Sequence, residues 1–460
     1  MTSTAVGEDL RAGLRARVRA ALPAHLDRLT WDAERLAGHQ RAGLRRLLRH
    51  ARERSAFHRD RLAGVDVDRF TPADLPGLPT MTKADAMAAF DDLVTDARLT
   101  RDRVEAHLAG TGTEAELLLD EYVVLASGGS SGQRGVFVYD RGAAVDYLLG
   151  LTRAALGRLV ERGVPPGGMP MTIVAAGRAL HASRVLPSLF SGDLLRVTSV
   201  PVTLPVPEIV ARLNALQPPL LQGYPSVLSV LAAEQTAGRL HIGPVAVTGS
   251  SEQFPAEAKA RVTEAFGVPP VDQFGSSEGV LGVSAPGGSV IELASDLAVV
   301  ELVDEAGRPV APGTPSARVL VTNLANPVQP LIRYELDDRF VAQPAREGSG
   351  HLRVAVEGRA DDVLHWPGVT VHPLVLRSPL VATPQVVEYQ VRQTADGVSL
   401  TVVPDGPLDG ADLARRVRES LVRAGLTGAT VTVRTADAVP ADPRTGKARR
   451  IVPLATGGPR

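Results

Sequence analysis

The stretch at residues 125–139, LASGGSSGQRGVFVY, contains residue types that could bind a phosphate group. Glycine lets backbone N–H groups approach a ligand closely, and serine hydroxyls supply further hydrogen-bond donors. An ordinary flexible loop has the same composition, so this run alone does not separate the two interpretations. The rest of the sequence has to decide between them.

Lysine is rare in this chain. The sequence has 50 basic residues, and all except Lys83, Lys259 and Lys447 are arginines. A compact ammonium differs from a planar guanidinium where one point charge must reach a crowded reacting centre, so each lysine is a candidate for chemistry. The TKAD segment at 82–85 is typical of a capping box that opens a helix. We therefore predict that Lys83 is a solvated first-turn residue without a function.

Composition excludes several function classes. The chain has 460 residues, enough for two or three domains, and its net charge of −1 gives no global field that favours nucleic acid or an anionic membrane. It has no cysteine, which removes disulfides, thiolate nucleophiles and cysteine zinc sites. No apolar run approaches the roughly 20 residues that span a bilayer, and acidic residues near the start do not suit a signal peptide. We expect a cytoplasmic protein without nucleic-acid or membrane partners.

The elements around the glycine-rich run separate two kinds of phosphate loop. Residues 121–126 and 135–139 both have the pattern of strands, and a helical pattern begins only after Asp140. A nucleotide-binding P-loop needs G-x-x-x-x-G-K-[ST] running directly into a helix. Residues 128–133 have neither the lysine nor the helix, which argues against a kinase-type or GTPase-type site.

Short apolar strands alternate with helical stretches between about residues 194 and 274. This rhythm is typical of βαβ units and predicts a parallel sheet. Ligands of such sheets bind beyond the carboxyl ends of the strands. The segments VTGSSE (247–252) and FGSSEG (274–279) are therefore expected at the edge of a site.

The remaining chain predicts an α/β protein with two domains. Helices are expected from Asp9 to about Leu62, a β-rich region follows Val290, and a small α/β unit begins near Gly358. We predict a large domain over 1–357, with βαβ parallel sheets plus a β-rich subdomain, and a small mobile α+β domain over 358–460. No internal repeat is evident.

Five ordered segments together resemble the adenylate-forming superfamily of acyl-CoA ligases, and specifically its phenylacetate-CoA ligase branch. They are SGGSSGQRG, QFGSSEG, LIRYELDD (331–338), GRADD (358–362) and PRTGKARR near the end. The N-terminal RHARERSAFHRDRL, the LPTMTKAD segment and PLIRYELDD are the features typical of the branch. The resemblance extends from about residue 35 to about residue 452.

The resemblance implies attack of a substrate oxyanion on the α-phosphate of ATP, which expels pyrophosphate and forms a mixed anhydride with AMP. Screening the triphosphate charge calls for amides, hydroxyls, a cation and a metal ion. The glycine-rich loop would hold the β- and γ-phosphates through Ser127, Gly128, Gly129, Ser130, Ser131 and Gly132. The family loop commonly continues with lysine, but Gln133 and Arg134 stand here, so the pyrophosphate contacts would differ in strength from those of the family.

Glu278 matches the family position that holds Mg²⁺ near the α-phosphate, a task suited to a hard carboxylate oxygen. An N-cap partner is the structural alternative for this residue. The resemblance places Gly249, Ser250 and Ser251 along the adenine and acyl pocket, with Gln273 and Phe274 beside the base. The nucleotide-binding set is completed by Gly275, Ser276 and Ser277.

Asp338 matches the carboxylate that accepts both ribose hydroxyls, although the neighbouring Asp337 is an alternative. Arg333 in the same segment is equally well interpreted as a structural ion-pair partner. By the resemblance, Arg359 contacts the ribose or phosphate and is counted among the catalytic residues, and Asp361 is the hinge of the small domain.

Lys447 lies in PRTGK, where proline and glycine shape a loop that presents one flexible ammonium. Family members use this lysine to bridge the attacking carboxylate and the α-phosphate. The ammonium neutralises both reactants where charge is most crowded. A solvated loop lysine is the structural alternative.

Residues that flank the predicted strands are candidates for the acyl pocket. His181 could orient the substrate carboxylate, act in acid–base chemistry, or fill a structural role. The aromatic content of 4% does not argue against an aryl substrate, because one or two rings suffice for a pocket. The predicted substrate residues are Tyr139, His181, Gln222, Gly223, Tyr224, Gly249 and Gly279.

We predict ATP- and Mg²⁺-dependent activation of a small, aromatic carboxylic acid to an acyl-adenylate, then transfer to coenzyme A. The segment VTVHPLVLRSP lacks the acidic residue that often follows the proline in the family, and only the resemblance identifies the acceptor. Alternatives are transfer to an amine, activation of nitrite for N–N chemistry, and a nucleotide-binding relative without turnover. A homodimer is also left open.

Overall fold

The structure is a computed structural model that places most of the chain. It describes residues 3–111, 116–127, 135–175, 185, 189–192, 194–252, 254, 256–336, 338–356, 364–371, 373–383, 385–404, 406–437, 439–440, 451–452 and 454.

Within these residues the helices fall into an N-terminal group, three crossover helices and a C-terminal pair. In chain order they are α1 Ser3–Arg28, α2 Ala33–Arg54, α3 Ala56–Arg61, α4 Lys83–Ala88, α5 Phe90–Leu93, α6 Arg101–Gly110, α7 Arg141–Arg162, α8 Val206–Leu216, α9 Pro225–Thr236, α10 Ala256–Phe266, α11 Pro373–Val381 and α12 Gly410–Arg423. A 3₁₀ helix covers Pro72–Gly77.

The strands up to Ser284 include a hairpin and the βαβ region. They are β1 Tyr122–Ser127, β2 Gly135–Asp140, β3 Met169–Ala175, β4 Leu195–Pro201, β5 Leu220–Gly223, β6 Ala246–Ser250, β7 Val271–Gly275 and β8 Leu281–Ser284. The later strands are β9 Val290–Leu293, β10 Ala298–Val303, β11 Arg318–Asn323, β12 Tyr334–Leu336, β13 Phe340–Ala342, β14 Arg353–Val356, β15 Leu364–Trp366, β16 Val369–Val371, β17 Val386–Gln393, β18 Gly397–Pro404, β19 Thr430–Thr435 and β20 Ile451–Val452.

The central sheet has nine strands in the order β13-β14-β9-β8-β7-β6-β5-β3-β4. Strands β7, β6, β5, β3 and β4 are mutually parallel, and β8, β9, β14 and β13 continue the sheet with antiparallel pairs. The prediction of a parallel sheet between residues 194 and 274 is confirmed. The direction of the chain reverses at β7–β8, which places the FGSSEG segment where the parallel half ends.

Helices cover both faces of the parallel half, as its buried strands require. One hydrophobic cluster contains α8, α9 and α10 residues such as Leu213, Leu228 and Val262. Another joins α1 and α7 to the β1–β2 hairpin and to β8. The sheet therefore separates two cores, and α7 lies on the face of the second.

The predicted N-terminal helices and the predicted hairpin are both present. Helix α2 buries Leu36, Leu44, Leu47 and Leu48 on one face, which is the face indicated by the 3.6-residue spacing. Strands β1 and β2 pair antiparallel, and α7 follows immediately with Asp140 as its N-cap. The mixed α/β fold class is confirmed.

The C-terminal part has a core of its own. The four-stranded sheet β19-β18-β17-β20 packs with α11 and α12 around a cluster that contains residues from Leu364 to Ile451 only. The boundary that we predict at residues 357 and 358 lies outside the described residues and remains a prediction, as does the mobility of this part. Over the described chain, no helix combines the length and apolarity needed to cross a membrane.

Candidate active site

The FGSSEG segment forms a tight turn between β7 and β8. Gly275 pairs with Leu281 across the two strands, the N–H of Ser276 donates to the carbonyl of Val280 at 2.9 Å, and the N–H of Gly279 donates to the carbonyl of Ser276 at 3.0 Å. This turn presents Ser276, Ser277 and Glu278 at the end of the parallel half of the sheet. The segment therefore lies at the carboxyl end of a parallel strand, the position for which we predict a site edge.

Gly279 is required by the turn. Its φ of 98° lies in the left-handed region that favours glycine. A Cβ atom at this position would lie 2.1 Å from the side-chain nitrogen of Asn323. That amide donates to the carbonyl of Glu278 at 2.9 Å, so the close approach holds the backbone of the proposed metal ligand.

Glu278 is a buried carboxylate, with 5% of its surface exposed. Burial raises the pKa of its carboxyl group above the ordinary 4.5, and the charge of Asp338 raises this pKa further. The charge of Lys83 and a hydrogen bond from the Ser276 hydroxyl lower it only in part. The structure therefore brings Glu278, Asp338 and Lys83 within electrostatic reach of one another.

The chain just before Lys83 is attached to the segment around Tyr334 by a short β-bridge. Residue Met81 pairs in parallel with Tyr334, its N–H donating to the carbonyl of Arg333 at 3.1 Å, while the N–H of Glu335 donates to the Met81 carbonyl at 2.9 Å. The predicted capping box is confirmed, because Thr82 and Asp85 cap α4 reciprocally. Lys83 is the first residue of that helix and is half-buried. Its charge acts on the carboxyl group of Glu278, and its half-buried position differs from the solvated one that we predict.

Arg333, whose carbonyl accepts from Met81, also holds the chain before Met81 through its side chain. Its guanidinium is buried and pairs with Glu301, with both nitrogen–oxygen distances at 3.1 Å. It also donates to the carbonyls of Pro76 and Leu78. The structural interpretation of Arg333 as an ion-pair partner fits these contacts.

The base of the glycine-rich hairpin is connected to the FGSSEG turn. Tyr139 is buried in β2 and donates its hydroxyl to the carbonyl of Ser277 at 2.5 Å, and Tyr147 donates to the carbonyl of Ser276 at 3.0 Å. The two rings meet edge to face at 5.6 Å. Burial raises the pKa of both hydroxyl groups, so both remain protonated donors.

Two buried amides attach the hairpin to the segment that precedes Arg333. Gln329 accepts from the N–H of Val138 at 2.9 Å and donates to the carbonyl of Val136 at 3.1 Å. Asn326 donates to the carbonyl of Val138 at 2.9 Å. Residues 323–329 thus hold both the hairpin and the turn through side-chain hydrogen bonds.

The ends of β5, β6 and β7 share a polar contact. The side chain of Gln222 donates to the hydroxyl of Ser250 and to the side-chain oxygen of Gln273, both at 3.3 Å. Gln273 donates in turn to the carbonyl of Leu151 in α7 at 3.2 Å. Three of the predicted nucleotide and substrate residues therefore converge at this edge.

The neighbouring small residues allow close packing there. A Cβ at Gly249 would lie 2.4 Å from the ring of Phe254, and one at Gly223 would lie 3.3 Å from Leu228. Ser251 has a φ of 68°, an uncommon value outside glycine. Tyr224 is buried at the start of α9. Phe274 packs edge to face on Phe340 at 5.2 Å.

Several predicted residues lie outside the described residues. They are Gly128, Gly129, Ser130, Ser131, Gly132, Gln133, Arg134, His181, Asp337, Arg359, Asp361 and Lys447. Only the backbone of Ser127 is described, at the end of β1 opposite Gly135. The roles assigned to these residues stay predictions.

Sequence reasoning missed four residues at the site. Lys83 carries charge towards Glu278, and Asn323, Asn326 and Gln329 position the turn and the hairpin through the bonds described above. The amides join residues 45 to 193 positions apart, which no local pattern reveals. Only the scarcity of lysine singled out Lys83.

Comparison with known proteins gives one sequence relative and a set of similar folds. The phenylacetate-coenzyme A ligase of Thermus thermophilus is 28% identical over 419 residues, covering 86% of this chain and 84% of that protein. No family model matches the chain.

The structures of 2-hydroxyisobutyryl-CoA ligase share the fold. In the thioesterification state, with 2-HIB-AMP and CoA, that protein aligns with a TM-score of 0.57 at 18% identity, covering 93% of this chain and 91% of its own. In the postadenylation state with R3-HIB-AMP the TM-score is 0.55 at 19% identity, with the same coverage. Sequence relative and fold agree over nearly the whole chain. The predicted resemblance to the adenylate-forming acyl-CoA ligases is confirmed, because the chain is similar in sequence to a phenylacetate-coenzyme A ligase and shares the fold of a CoA ligase.

Proposed function

We propose that this protein activates a small carboxylic acid with ATP, forming acyl-AMP and pyrophosphate, and then transfers the acyl group to coenzyme A. An aromatic acid is the first candidate. The observation that carries the proposal is Glu278, a buried carboxylate within electrostatic reach of Lys83 at the turn where the parallel strands end. Its position in a chain similar to phenylacetate-CoA ligase over 86% of its length supports the same chemistry.

The first step joins two anions. An oxygen of the substrate carboxylate attacks the α-phosphorus of ATP, the bond from that phosphorus to the bridging oxygen breaks, and pyrophosphate leaves. In the second step the sulfur of coenzyme A attacks the acyl carbon, AMP leaves, and the thiol proton is lost. Positive charge near the phosphates lowers the first barrier most, because negative charge is concentrated there.

Mg²⁺ fits the residues at the turn. Mg²⁺ is usually held by one or two carboxylates with substrate phosphates and water. Glu278 supplies one buried carboxylate, while the described residues contain no group of three or more acidic or histidine side chains suited to a metal ion. Glu278 would hold the ion, which when bound neutralises phosphate charge.

Lys83 has a task in this scheme. Its charge already acts on Glu278, so the phosphates of a nucleotide bound beside Glu278 would experience it as well. The glycine-rich loop lacks the lysine that is usual in the family, having Gln133 and Arg134 instead. We assign Lys83 to phosphate binding, where it compensates for this difference.

The remaining nucleotide contacts follow the sequence resemblance. Asp338 accepts the ribose hydroxyls, with Arg359 on the ribose or phosphate, and the loop from Ser127 to Gly132 holds the outer phosphates. Gln273 and Phe274 lie beside the base. The electrostatic effect of Asp338 on Glu278 supports one site for ribose and phosphate.

Lys447 and Asp361 belong to the second part of the proposal. The Lys447 ammonium bridges the attacking carboxylate and the α-phosphate, and the domain of residues 358–460 rotates about Asp361 between the two steps. ATP and coenzyme A as cosubstrates favour the cytoplasm. Size-exclusion chromatography with light scattering decides between a monomer and a homodimer.

Pyrophosphate release tests the proposal directly. We expect release with aromatic or aliphatic acids only when ATP and Mg²⁺ are present, and thioester formation when coenzyme A is added. Panels of nitrite, amines and coenzyme A separate the acid-CoA ligase from an amide synthetase or a nitrite-activating enzyme. Nucleotide binding without release for any substrate would point to a relative without turnover.

Lys447→Ala separates the two half-reactions. We expect the variant to lose adenylate formation from acid and ATP but to retain thioester formation from a supplied acyl-adenylate, because the ammonium acts on the phosphate. Single-turnover assays of each half-reaction measure this. Equal loss of both steps would contradict the assigned role.

A further inference from the structure

A cavity of about 50 Å³ lies between α1, α7 and the sheet. Eight of its twelve lining residues are apolar, including Val18 of α1, Leu156 of α7 and Met171 of β3. A water molecule needs roughly 10–15 Å³ in such a cavity. The space is therefore large enough for several methylene groups of an apolar tail.

The inner end of this cavity reaches the candidate active site. Gln222 lines the cavity and also donates to Ser250 and Gln273 at the ends of β6 and β7. Gln273 donates to the carbonyl of Leu151, one residue before Thr152, which lines the cavity as well. An acyl group attached at the site would thus extend along α7 into the apolar space.

The outer wall comes from a helix that is firmly packed. Val18 is buried, with 4% of its surface exposed. His25 of α1 lies 2.9 Å from the carboxylate of Asp146 in α7, and a Cβ at Gly157 would lie 2.6 Å from the side chain of Leu26. The C-terminal end of α1 is therefore held against α7.

Helix α1 ends at Arg28, before the resemblance to the ligase family begins near residue 35. The family resemblance consequently assigns no role to it. Its contribution to the cavity comes from the structure and not from the motifs that carry the resemblance.

We propose that α1 is the outer wall of the acyl pocket and that Val18 limits the length of an apolar acyl chain. The proposal rests on the acid-activating function proposed above and names its substrate class, an acid with an apolar tail. Arg15 and Arg19 also line the cavity, and Arg15 donates to the carbonyl of Ser191 at 3.2 Å. The apolar majority of the lining favours a hydrocarbon tail over a second carboxylate.

Val18→Phe tests the wall by filling the cavity. We expect kcat/KM for octanoate to fall at least about tenfold while that for acetate stays within about twofold, because excluding a few methylenes has an effect of this size. Val18→Ala should shift the preference to longer acids. Leu156→Phe, from α7, fills the same space should Val18→Phe not fold.

Leu22→Ala is the matched control. Leu22 is buried on α1 with 5% exposure, but it does not line the cavity, so this variant loosens helix packing without changing the pocket. A chain-length effect in Leu22→Ala equal to that in Val18→Phe would overturn the proposal. Equal losses for acetate and octanoate in Val18→Phe would do so too, as would a preference for suberate over octanoate.

Binding of stable acyl-adenylate mimics distinguishes this proposal from the proposed function. Calorimetry with 5′-O-(N-acetylsulfamoyl)adenosine and its octanoyl analogue requires no turnover. Octanoyl binding should weaken at least about tenfold in Val18→Phe, with acetyl binding unchanged. If this pattern holds but no acid supports pyrophosphate release, the proposed acid activation is wrong, while the proposal that α1 forms the wall of the pocket stands. If acids are activated but binding of the mimics does not depend on acyl chain length, the proposal that α1 forms the wall of the pocket is wrong.

Discussion

Two buried carboxylates in this protein have opposite environments. Asp296 receives both outer nitrogens of the Arg153 guanidinium at 2.7 Å, and Arg28 lies at 3.5 Å. Burial acts to raise the pKa of Asp296, but these cations and His351 outweigh it and hold the pKa at about 2. Glu278 is also buried, yet its pKa is raised, because burial and Asp338 outweigh Lys83.

The difference separates a structural carboxylate from the one that we propose to be functional. Asp296 joins α7 and α1 to the loop before β10, and its charge is matched within the fold. Glu278 is left with incompletely compensated negative charge at the end of the parallel sheet. A buried carboxylate of this kind gains free energy when a cation arrives, which suits a ligand of a metal–nucleotide complex.

Asp296→Asn should produce the largest effect on stability. The substitution leaves the buried Arg153 charge without its partner, and loss of one member of a buried pair costs about 3–5 kcal/mol. Urea unfolding at neutral pH measures the free energy of unfolding. The pKa of Asp296 is lowered on folding, so its contribution is present above 3.8 and is lost as pH falls towards 2. A loss in the free energy of unfolding below about 1 kcal/mol would contradict the structural role of Asp296 and with it the comparison with Glu278.

Glu278→Gln should produce the opposite pattern. We expect pyrophosphate release to fall about 100-fold or more, since the ligand charge is lost. Stability at neutral pH should be unchanged or higher. The raised pKa of Glu278 means that its stabilising contribution is complete below 4.5 and is lost as pH rises through the raised value. A large loss of stability together with retained turnover would make Glu278 structural.

Asp338→Ala should have a smaller effect, on nucleotide affinity. Losing a charged acceptor for the ribose hydroxyls should weaken ATP binding roughly tenfold to 100-fold. Asp337→Ala is the matched control, because it removes a carboxylate one position away. Equilibrium titration with ATP measures both. An effect in Asp337→Ala alone would move the ribose contact by one residue, and no effect in either would reject it.

Much of the fold follows from local sequence signals. The alternation between residues 194 and 274 predicted the parallel strands, and the hydroxyl-rich segment after β7 marked the end of the sheet where Glu278 lies. The capping box at Thr82 was predicted from four residues. Each of these features depends on neighbours in sequence, which a pattern can record.

The rest of the site depends on distant contacts. The charge of Lys83 acts on Glu278, and the chain just before Lys83 is held by the pairing of Met81 with Tyr334, about 250 positions later. Gln329 reaches across to β2, and Val18 reaches the cavity through packing of α1 on α7. A sequence pattern contains no record of these pairings, so the electrostatic contact of Lys83 with Glu278 and the position of α1 at the cavity were not predictable.

The pH dependence of MgATP binding tests the central claim most directly, which is that Glu278 is an under-compensated carboxylate that receives the cation of the nucleotide. As pH falls through the raised pKa of Glu278, the protonated form should bind MgATP more weakly. Lys83→Met should move this loss of affinity to higher pH, since removing the cation raises the pKa further. Glu278→Gln should lack the transition and show only the titration of ATP itself. Identical pH profiles for the original protein and Glu278→Gln would contradict the claim.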